Sequence, residues 1–361
     1  MNLQSDRRGR SVPNLESADL RFVEAKQIDW ERIKRILAAS ERENHWTNFG
    51  PVSRRLEATL AEMLELHSDS AVVVTSSATA ALFAIAGVSA AHMRCSVRWV
   101  TSAFGFFSTR IGPLASVQFV DCDDSGLLDL AHLAEMPEDS WDGLLVTNVF
   151  SARATMADYV QFCRQRGKAI IIDNAMCLLG YDRTSLDAPP EIISFHHTKP
   201  WGFGEGGCAV VPRNDVPLVR NLVNFGHLAP PQLSMFAANG KLSELGAAAI
   251  LQRLEQLQEW APAYTAQWCR IAEIATAAGF NIFQKPAAGS VIGFVPLLAP
   301  RSVSAARIRA SSLPMAKYYP LLEDLPNARA LYAHVVCVAS HANLAALSDA
   351  IIEQELSSLL A

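Results

Sequence analysis

Short apolar runs alternate with longer helix-like segments along the chain from residue 71 onward. The runs are rich in valine, isoleucine and leucine, which is typical of strands buried on both faces of a parallel sheet. The alternation therefore predicts an α/β fold in which helices cover both sides of a mainly parallel sheet. Seven candidate strands result, at residues 71–76, 97–101, 117–121, 143–149, 169–173, 192–195 and 208–211.

The pattern changes after the paired prolines Pro230-Pro231, which mark a loop. Residues 242–259 carry leucines at helical spacing and predict one long helix. Strand-like runs follow near residues 291–297 and 334–339, and the apolar spacing over residues 344–360 predicts a terminal helix. This second region is typical of a smaller α+β unit.

We therefore expect a polar tail over residues 1–20, a large domain over residues 21–240 and a small domain over residues 241–361. Half of the 361 residues are hydrophobic, which is enough to bury a large core. The formal charge of -5 provides no general basic field, which argues against a nucleic-acid partner. The basic run Arg7-Arg8-Gly9-Arg10 is typical of a solvated tail.

The cysteines and the apolar runs indicate the cellular compartment in which the protein is expected. Seven cysteines are scattered without a Cys-x-x-Cys pair, which is typical of reduced thiols. No signal-peptide core and no uninterrupted apolar stretch of bilayer length are present in the sequence. The sequence therefore predicts a soluble, cytoplasmic protein without a membrane partner.

Lys199 lies in the most informative segment of the chain. It ends the stretch Ser194-Phe195-His196-His197-Thr198-Lys199, between an apolar strand end and the glycine-rich turn over residues 202–207. A partly desolvated lysine has a lowered pKa and a more nucleophilic amine. These are the properties that a Schiff-base lysine needs.

Asp173 ends the candidate strand over residues 169–173. Open α/β sheets bind ligands at the carboxyl ends of their strands, although an aspartate there can also simply cap the next turn. Lys199 follows at the next strand, which favours a functional role. A carboxylate facing a ring nitrogen would keep that nitrogen protonated, so that the ring could accept electrons.

Two further segments could hold a phosphorylated, planar cofactor. Residues 75–82 leave a strand and enter an alanine-rich helix, so free backbone N–H groups and the hydroxyls of Ser77 and Thr79 could bind phosphate. Ser194 could add another hydroxyl, although serine and threonine at a helix start are often only N-caps. One aromatic face of the segment Phe104-Gly105-Phe106-Phe107-Ser108-Thr109 could stack on a cofactor ring, and core packing is the alternative role of these phenylalanines.

Other site chemistries are not supported. The sequence has no closely spaced set of metal ligands, and the adjacent His196 and His197 would point in opposite directions on a strand. No Gly-x-Ser-x-Gly nucleophile motif is present, and the glycines at 202, 204 and 206 lack the context of a dinucleotide-binding fingerprint.

Together these segments resemble the DegT/DnrJ/EryC1/StrS family of aminotransferases that use pyridoxal 5'-phosphate (PLP). The resemblance extends from about Trp46 to His341, and its most specific element is Ser194 to Lys199 followed by Gly204-Glu205-Gly206-Gly207. It implies PLP as cofactor, with pyridoxamine 5'-phosphate as its second form. It also implies fold type I, with a large domain around a seven-stranded sheet and a smaller C-terminal domain.

The resemblance also assigns roles. It implies that Lys199 holds the cofactor as a Schiff base and then carries protons, and that Asp173 pairs with the pyridine nitrogen. The residues that would bind phosphate or ring are Ser77, Ala78, Thr79, Ser194 and Phe106.

The segment Asn239-Gly240-Lys241 resembles the one with which family members reach the phosphate in the neighbouring subunit. The resemblance therefore implies a homodimer with shared active sites. Three positions depart from the family pattern. Met176 stands where glutamine or histidine is usual near the ring's phenolic oxygen, Ala78 replaces a glycine, and Leu322 replaces a histidine.

The resemblance implies transfer of an amino group from L-glutamate or L-glutamine to a keto sugar, most simply a nucleotide-linked 4-keto-6-deoxy sugar. A non-nucleotide ketone, or a dehydration or deamination, is an alternative with the same cofactor. A non-catalytic regulatory protein of the same fold is an alternative of another class. Retention of Lys199 and Asp173 argues against the regulatory alternative.

Overall fold

The computed structural model describes residues 20–361, so the basic run at residues 7–10 lies outside the described residues. Within that range the strands form a seven-stranded sheet and a four-stranded sheet. The strands of the larger sheet are β1 (Ser70–Thr75), β2 (Trp99–Ser102), β3 (Gln118–Val120), β4 (Gly143–Thr147), β5 (Ala169–Asp173), β6 (Glu191–Ser194) and β7 (Gly207–Pro212). Those of the smaller sheet are β8 (Asn281–Ile282), β9 (Phe294–Leu298), β10 (Met315–Ala316) and β11 (Val335–Ala339).

Helices connect and cover the two sheets. Several begin at a side-chain cap: Asp29 accepts from Arg32 N–H, and Ser77 accepts from Ala80 N–H. The helices are α1 (Trp30–Glu43), α2 (Pro51–Met63), α3 (Ala78–Met93), α4 (Leu130–Glu135), α5 (Ala157–Gln165), α6 (Val216–Leu222), α7 (Glu244–Glu255), α8 (Leu257–Ala277), α9 (Ala305–Ala310), α10 (Pro326–His334) and α11 (Asp349–Leu360). None of those within residues 20–361 is long and apolar enough to cross a bilayer.

The larger sheet has the strand order β1-β7-β6-β5-β4-β2-β3. Strands β2 to β6 pair in parallel, and β7 pairs antiparallel with both β6 and β1. This confirms the predicted mainly parallel, seven-stranded sheet. Because Thr147 pairs with Asp173 and Asp173 pairs with Ile192, the carboxyl ends of β4, β5 and β6 lie side by side.

Successive strand residues point to opposite faces of the sheet, and each face has its own apolar core. Ile192 packs with the buried side chains of α3, whereas Ile193 packs with those of α1, α2 and α7. Helix α3 is apolar on all sides because it lies between the sheet and α6. Helices therefore pack on both faces of β6, the strand that leads to Lys199.

The second region differs from the predicted elements in detail. The helix predicted over residues 242–259 is two helices, because the backbone leaves helical geometry at Gln256. Apolar spacing identifies the buried face of a helix but not a break between two helices that bury the same side. Strands β8 and β10 span two residues each and are too short to give a pattern. The domain division at residue 240 remains a prediction.

Candidate active site

A cavity of about 270 Å³ lies at the carboxyl ends of β4, β5 and β6. This is the edge at which parallel sheets bind ligands. The residues that line the cavity come from the larger sheet, from the start of α3 and from a segment before α10: Ser77, Ala78, Thr79, Phe106, Ser108, Thr147, Asp173, Ala175, Met176, Ile192, Ser194, His196, Thr198, Lys199, Glu205, Gly206, Tyr318 and Tyr319.

Lys199 projects into this cavity from the turn between β6 and β7. Its amide N–H donates to His196 C=O at 2.8 Å, which fixes the turn, and its Nζ lies 2.7 Å from Met176 Sδ. Burial lowers the pKa of Lys199 to about 8, while the negative charge of Asp173 opposes this shift. The amine is therefore neutral and nucleophilic in a larger fraction of molecules than that of an exposed lysine.

Asp173 is the last residue of β5, and only 4% of its surface is exposed. Its carboxylate accepts a hydrogen bond from Ala175 N–H at 2.9 Å. Burial raises the pKa of Asp173, and the Ala175 hydrogen bond and the charge of Lys199 oppose that change. A buried carboxylate that faces a cavity is the arrangement expected for a group that pairs with a cationic ligand atom.

A buried polar network holds the loop after Asp173. Arg183 and Glu191 form an ion pair with both side chains 3% exposed. Glu191 also accepts a hydrogen bond from Asn174, the residue after Asp173. Arg183 in turn donates to the carbonyls of Cys177 and Leu178 at 3.1 and 3.0 Å. The carboxyl end of β5 is therefore fixed by interactions whose loss would leave a buried charge unpaired.

The start of α3 provides hydrogen-bond donors at one end of the cavity. Ser77 is the N-cap, and its Oγ accepts from Ala80 N–H at 3.1 Å. Ala78 begins the helix and is not among the residues with positive φ, so the loss of the family's glycine does not strain the turn. A Cβ on Gly207 would lie 2.2 Å from Ala78 N, so β7 approaches the helix start as closely as a glycine allows. Free N–H groups at a helix start attract anions.

Aromatic side chains also line the cavity. Phe106 lines it with 43% of its surface exposed. Tyr318 and Tyr319 reach the cavity from the second region, and the buried Tyr319 hydroxyl has no hydrogen-bond partner within residues 20–361. Leu322 is not one of the lining residues: it is buried, and its Cδ1 would lie 3.2 Å from a Cβ on Gly105. The departure at Leu322 is therefore a packing change beside the site.

The two histidines of the motif lie in the turn after β6, which ends at Ser194, so the prediction that they lie on a strand is wrong, although they do face different cavities. His196 lines the cavity, where its Nδ1 lies 2.9 Å from Thr198 Oγ1 and its Nε2 lies 3.4 Å from Glu205 Oε1. His197 lies on the other side of the turn, in a second cavity with His341. The lining of the main cavity therefore includes an imidazole and a carboxylate that lie close to each other.

The structure gathers most of the predicted site residues in the cavity, with the exception of Asn239. Asn239 lies outside it, where its Oδ1 accepts from Lys241 Nζ at 2.6 Å. The sequence analysis missed Thr147, Tyr318 and Tyr319. Thr147 ends β4 as Asp173 ends β5, so the strand-end rule could have found it. No local signal connects the tyrosines to a lysine more than one hundred residues away.

Comparison with known proteins finds a matching family and several relatives of this chain. The sequence profile of the DegT/DnrJ/EryC1/StrS aminotransferase family matches residues 27–274. Protein Rv3402c of Mycobacterium tuberculosis is 31% identical over an alignment of 229 residues, and the match covers 58% of this chain and 54% of that protein. The chain thus spans about half the length of the curated relatives that it matches.

Solved structures of low sequence identity share the fold. A candidate PLP-dependent aminotransferase from Bacillus cereus is 20% identical with a TM-score of 0.79, over 95% of this chain and 100% of that one. DesI, solved with its TDP-sugar product, is 22% identical with a TM-score of 0.73, over 92% and 90%. PseC from Helicobacter pylori, an aminotransferase involved in pseudoaminic acid biosynthesis, is 16% identical with a TM-score of 0.74, over 94% and 97%.

These likenesses show that the fold is the one of fold type I PLP-dependent transferases. The family profile covers well over half of the chain and includes the segments that carry Asp173 and Lys199. This protein therefore belongs to the DegT/DnrJ/EryC1/StrS aminotransferase family.

Proposed function

We propose that this protein is a PLP-dependent aminotransferase that moves an amino group from L-glutamate or L-glutamine to a keto sugar. The observation that carries the proposal is the presence of Lys199 and Asp173 in one cavity, next to the helix start at Ser77. The family implies the cofactor, and the pairing of a nucleophilic lysine with a buried carboxylate supports it.

The donor set fits PLP. The N–H groups at the start of α3 and the hydroxyls of Ser77, Thr79 and Ser194 suit a phosphate group. Phe106 provides an aromatic surface for a planar ring. Asp173 provides a buried carboxylate for a protonated ring nitrogen, and this pairing would neutralise a charge that is otherwise unfavourable in the cavity.

Each residue has a distinct task in this scheme. Bound PLP supplies an electron sink when a C–H bond beside an amino nitrogen breaks. Asp173 would accept a hydrogen bond from the ring nitrogen and keep that nitrogen protonated. Lys199 Nζ would take the proton from Cα of the amino donor and deliver it to C4′ of the cofactor, which requires an amine with a pKa near the working pH. Met176 Sδ is a weak acceptor and leaves that amine free to react.

We also propose a homodimer with shared sites. Among the described residues that line the cavity there is one lysine, Lys199, and no arginine, so a phosphate dianion needs a further cation. Lys241 is available outside the cavity, where it lies 4.3 Å from the centre of the Phe225 ring. Phe225, Leu228 and Met235 are 62%, 80% and 59% exposed, and such an apolar surface suits contact with a second copy.

The acceptor is proposed as a nucleotide-linked 4-keto-6-deoxy sugar. The fold likeness to DesI, solved with a TDP-sugar product, is consistent with this class but shows the fold alone. The cavity lining offers polar groups at His196, Thr198 and Glu205 that suit hydroxyl-bearing ligands.

The test combines absorption spectra with isotope transfer. Added PLP is expected to give the visible band of lysine-bound cofactor, L-glutamate should convert it to the pyridoxamine form, and Lys199→Ala should give no such band. Incubation with ¹⁵N-glutamate and a nucleotide-linked 4-keto-6-deoxy sugar should then place ¹⁵N on the sugar. A band that ignores amino donors would favour other PLP chemistry, and no band in the native protein would favour a non-catalytic role.

A further inference from the structure

Lys26 makes an unusual contact with the turn that carries Lys199. This lysine belongs to the segment before α1, far from the site in sequence. Its Nζ donates to the carbonyls of His197 and Gly202 at 2.6 Å each, and also to the carbonyl of Lys199 itself. Three carbonyl oxygens of one turn therefore converge on a single ammonium group, which has three N–H donors to match them.

We propose that Lys26 is a positioning residue for Lys199, holding the turn over residues 197–202 in the shape that directs the Lys199 side chain into the cavity. The proposal rests on the proposed function in so far as Lys199 reacts with PLP. The hydrogen bonds themselves are properties of the protein without any ligand.

The turn needs such an anchor because the chain folds back tightly at Gly202 and three of the turn's carbonyls point to one place. A Cβ on Gly202 would lie 2.2 Å from His196 O and 2.4 Å from Phe195 O, so the chain folds back tightly on itself. Carbonyl dipoles that point to one place repel each other unless a donor lies between them. The Lys26 ammonium is that donor.

A second cation extends the contact. Arg253 Nε donates to Pro200 C=O at 2.9 Å, and Arg253 Nη2 pairs with Glu24 at 2.6 Å. Glu24 also accepts from Tyr264 OH at 3.0 Å. The carbonyls of residues 197, 199, 200 and 202 are thus held by two cations from distant parts of the chain.

Lys26 lies where loss of contact with water makes a positive charge unfavourable. Burial, followed by the charge of Arg253, lowers the pKa of Lys26 to about 7, with Lys199 acting in the same direction and Glu24 opposing it. The pKa of a fully exposed lysine would not be lowered by burial. Hydrogen bonds to the three carbonyls offset the cost of holding this partly buried ammonium away from water.

Lys26→Met tests the proposal, because it keeps the length of the side chain and removes the donors. Lys168→Met is the matched control: Lys168 Nζ also donates to two carbonyls, those of Glu138 and Trp141, but it precedes β5 at the end of the sheet opposite to Asp173. The first measurement is hydrogen exchange of the peptide over residues 196–202 in the ligand-free proteins. We expect exchange to be about tenfold faster in Lys26→Met and unchanged in Lys168→Met.

The second measurement is the rate at which added PLP becomes bound to Lys199, followed by visible absorption. We expect about a tenfold decrease in Lys26→Met and less than about a twofold change in Lys168→Met, with similar losses in melting temperature. Native exchange and capture rates in Lys26→Met, or equal loss of capture in both variants, would overturn the proposal. If Lys26→Met does not fold, Lys26→Leu, which also removes the donors, serves in the same comparison.

The proposed function and the inference about Lys26 can be refuted independently of each other. If the native protein does not capture PLP, the proposed function fails, and the exchange measurement still decides whether Lys26 holds the turn. If the native protein captures PLP and exchange is unchanged in Lys26→Met, the inference about Lys26 fails and the proposed function stands.

Discussion

Asp173→Asn should change the stability of the ligand-free protein and its affinity for PLP in opposite directions. Burial raises the pKa of Asp173 in the folded chain. When the pKa of a carboxyl group is higher in the folded chain than in the unfolded chain, the free energy of unfolding falls as the pH rises from the lower pKa through the higher one. At a pH above both pKa values the protein carries the full loss of stability. The neutral amide avoids this penalty, and its Oδ1 can keep the 2.9 Å hydrogen bond from Ala175 N–H.

The expected magnitudes follow from the surroundings of the carboxylate. Removing a functional group from an unfavourable buried position typically raises the free energy of unfolding by about 0.5–2 kcal/mol. A hydrogen bond to a charged partner contributes about 1.5–3 kcal/mol, so loss of the pairing with the ring nitrogen should weaken PLP binding about 10- to 100-fold. The variant should therefore be more stable without cofactor and gain less stability from it.

Thermal unfolding of the ligand-free protein measures the first effect, and titration with PLP followed by visible absorption measures the second. Asp142→Asn is the control, because Asp142 precedes β4 at the far end of the sheet and pairs with Arg98 at 2.7 Å, which lowers its pKa to about 2. That control should lose stability and keep its PLP affinity. A less stable Asp173→Asn protein, or one with native PLP affinity, would refute the role assigned to this carboxylate.

Four further outcomes follow from the same geometry. Lys199→Ala should abolish turnover and leave no cofactor attached after borohydride reduction, and residual turnover above about 1% would contradict its role. The rate of PLP capture by the native protein should rise with pH and level off above about 8, where the Lys199 amine is neutral, whereas a pH-independent rate would contradict that assignment. Asn239→Ala should weaken cofactor retention in the active site of the partner subunit. If sedimentation shows that the fully active native protein is a monomer, active sites shared between subunits are excluded. Gly207→Ala places a Cβ 2.2 Å from Ala78 N and should lower PLP affinity at least about tenfold, which a native binding constant would disprove.

The sequence predicted those parts of the site in which local pattern and chemistry coincide. Lys199 and Asp173 each follow an apolar run, and parallel strands bring such ends together whatever the loops do. Ser77 was predictable because a strand, a polar cap and an alanine-rich helix follow one another directly. The register of the sheet then brings these distant segments into one cavity.

The remaining site residues depend on contacts that no local pattern encodes. Tyr319 reaches the cavity because the chain around residue 321 pairs with Phe104 through an isolated bridge, and Leu322 N–H donates to Ala103 C=O at 2.9 Å. Lys26 reaches the Lys199 turn across 173 residues of sequence. Neither contact has a periodicity or a turn signal, so each becomes visible only when the fold is known.

The three departures from the family pattern have different physical consequences. Ala78 fits because the first residue of α3 has helical geometry, and Leu322 is buried beside Gly105 away from the cavity lining. Met176 alone among them contacts the amine of Lys199, with its Sδ 2.7 Å from Lys199 Nζ. A thioether stabilises an ammonium less than a carboxylate or amide oxygen would, and burial already lowers the Lys199 pKa to about 8. The substitution therefore favours the neutral, nucleophilic form of Lys199, which is the form that the proposed chemistry requires.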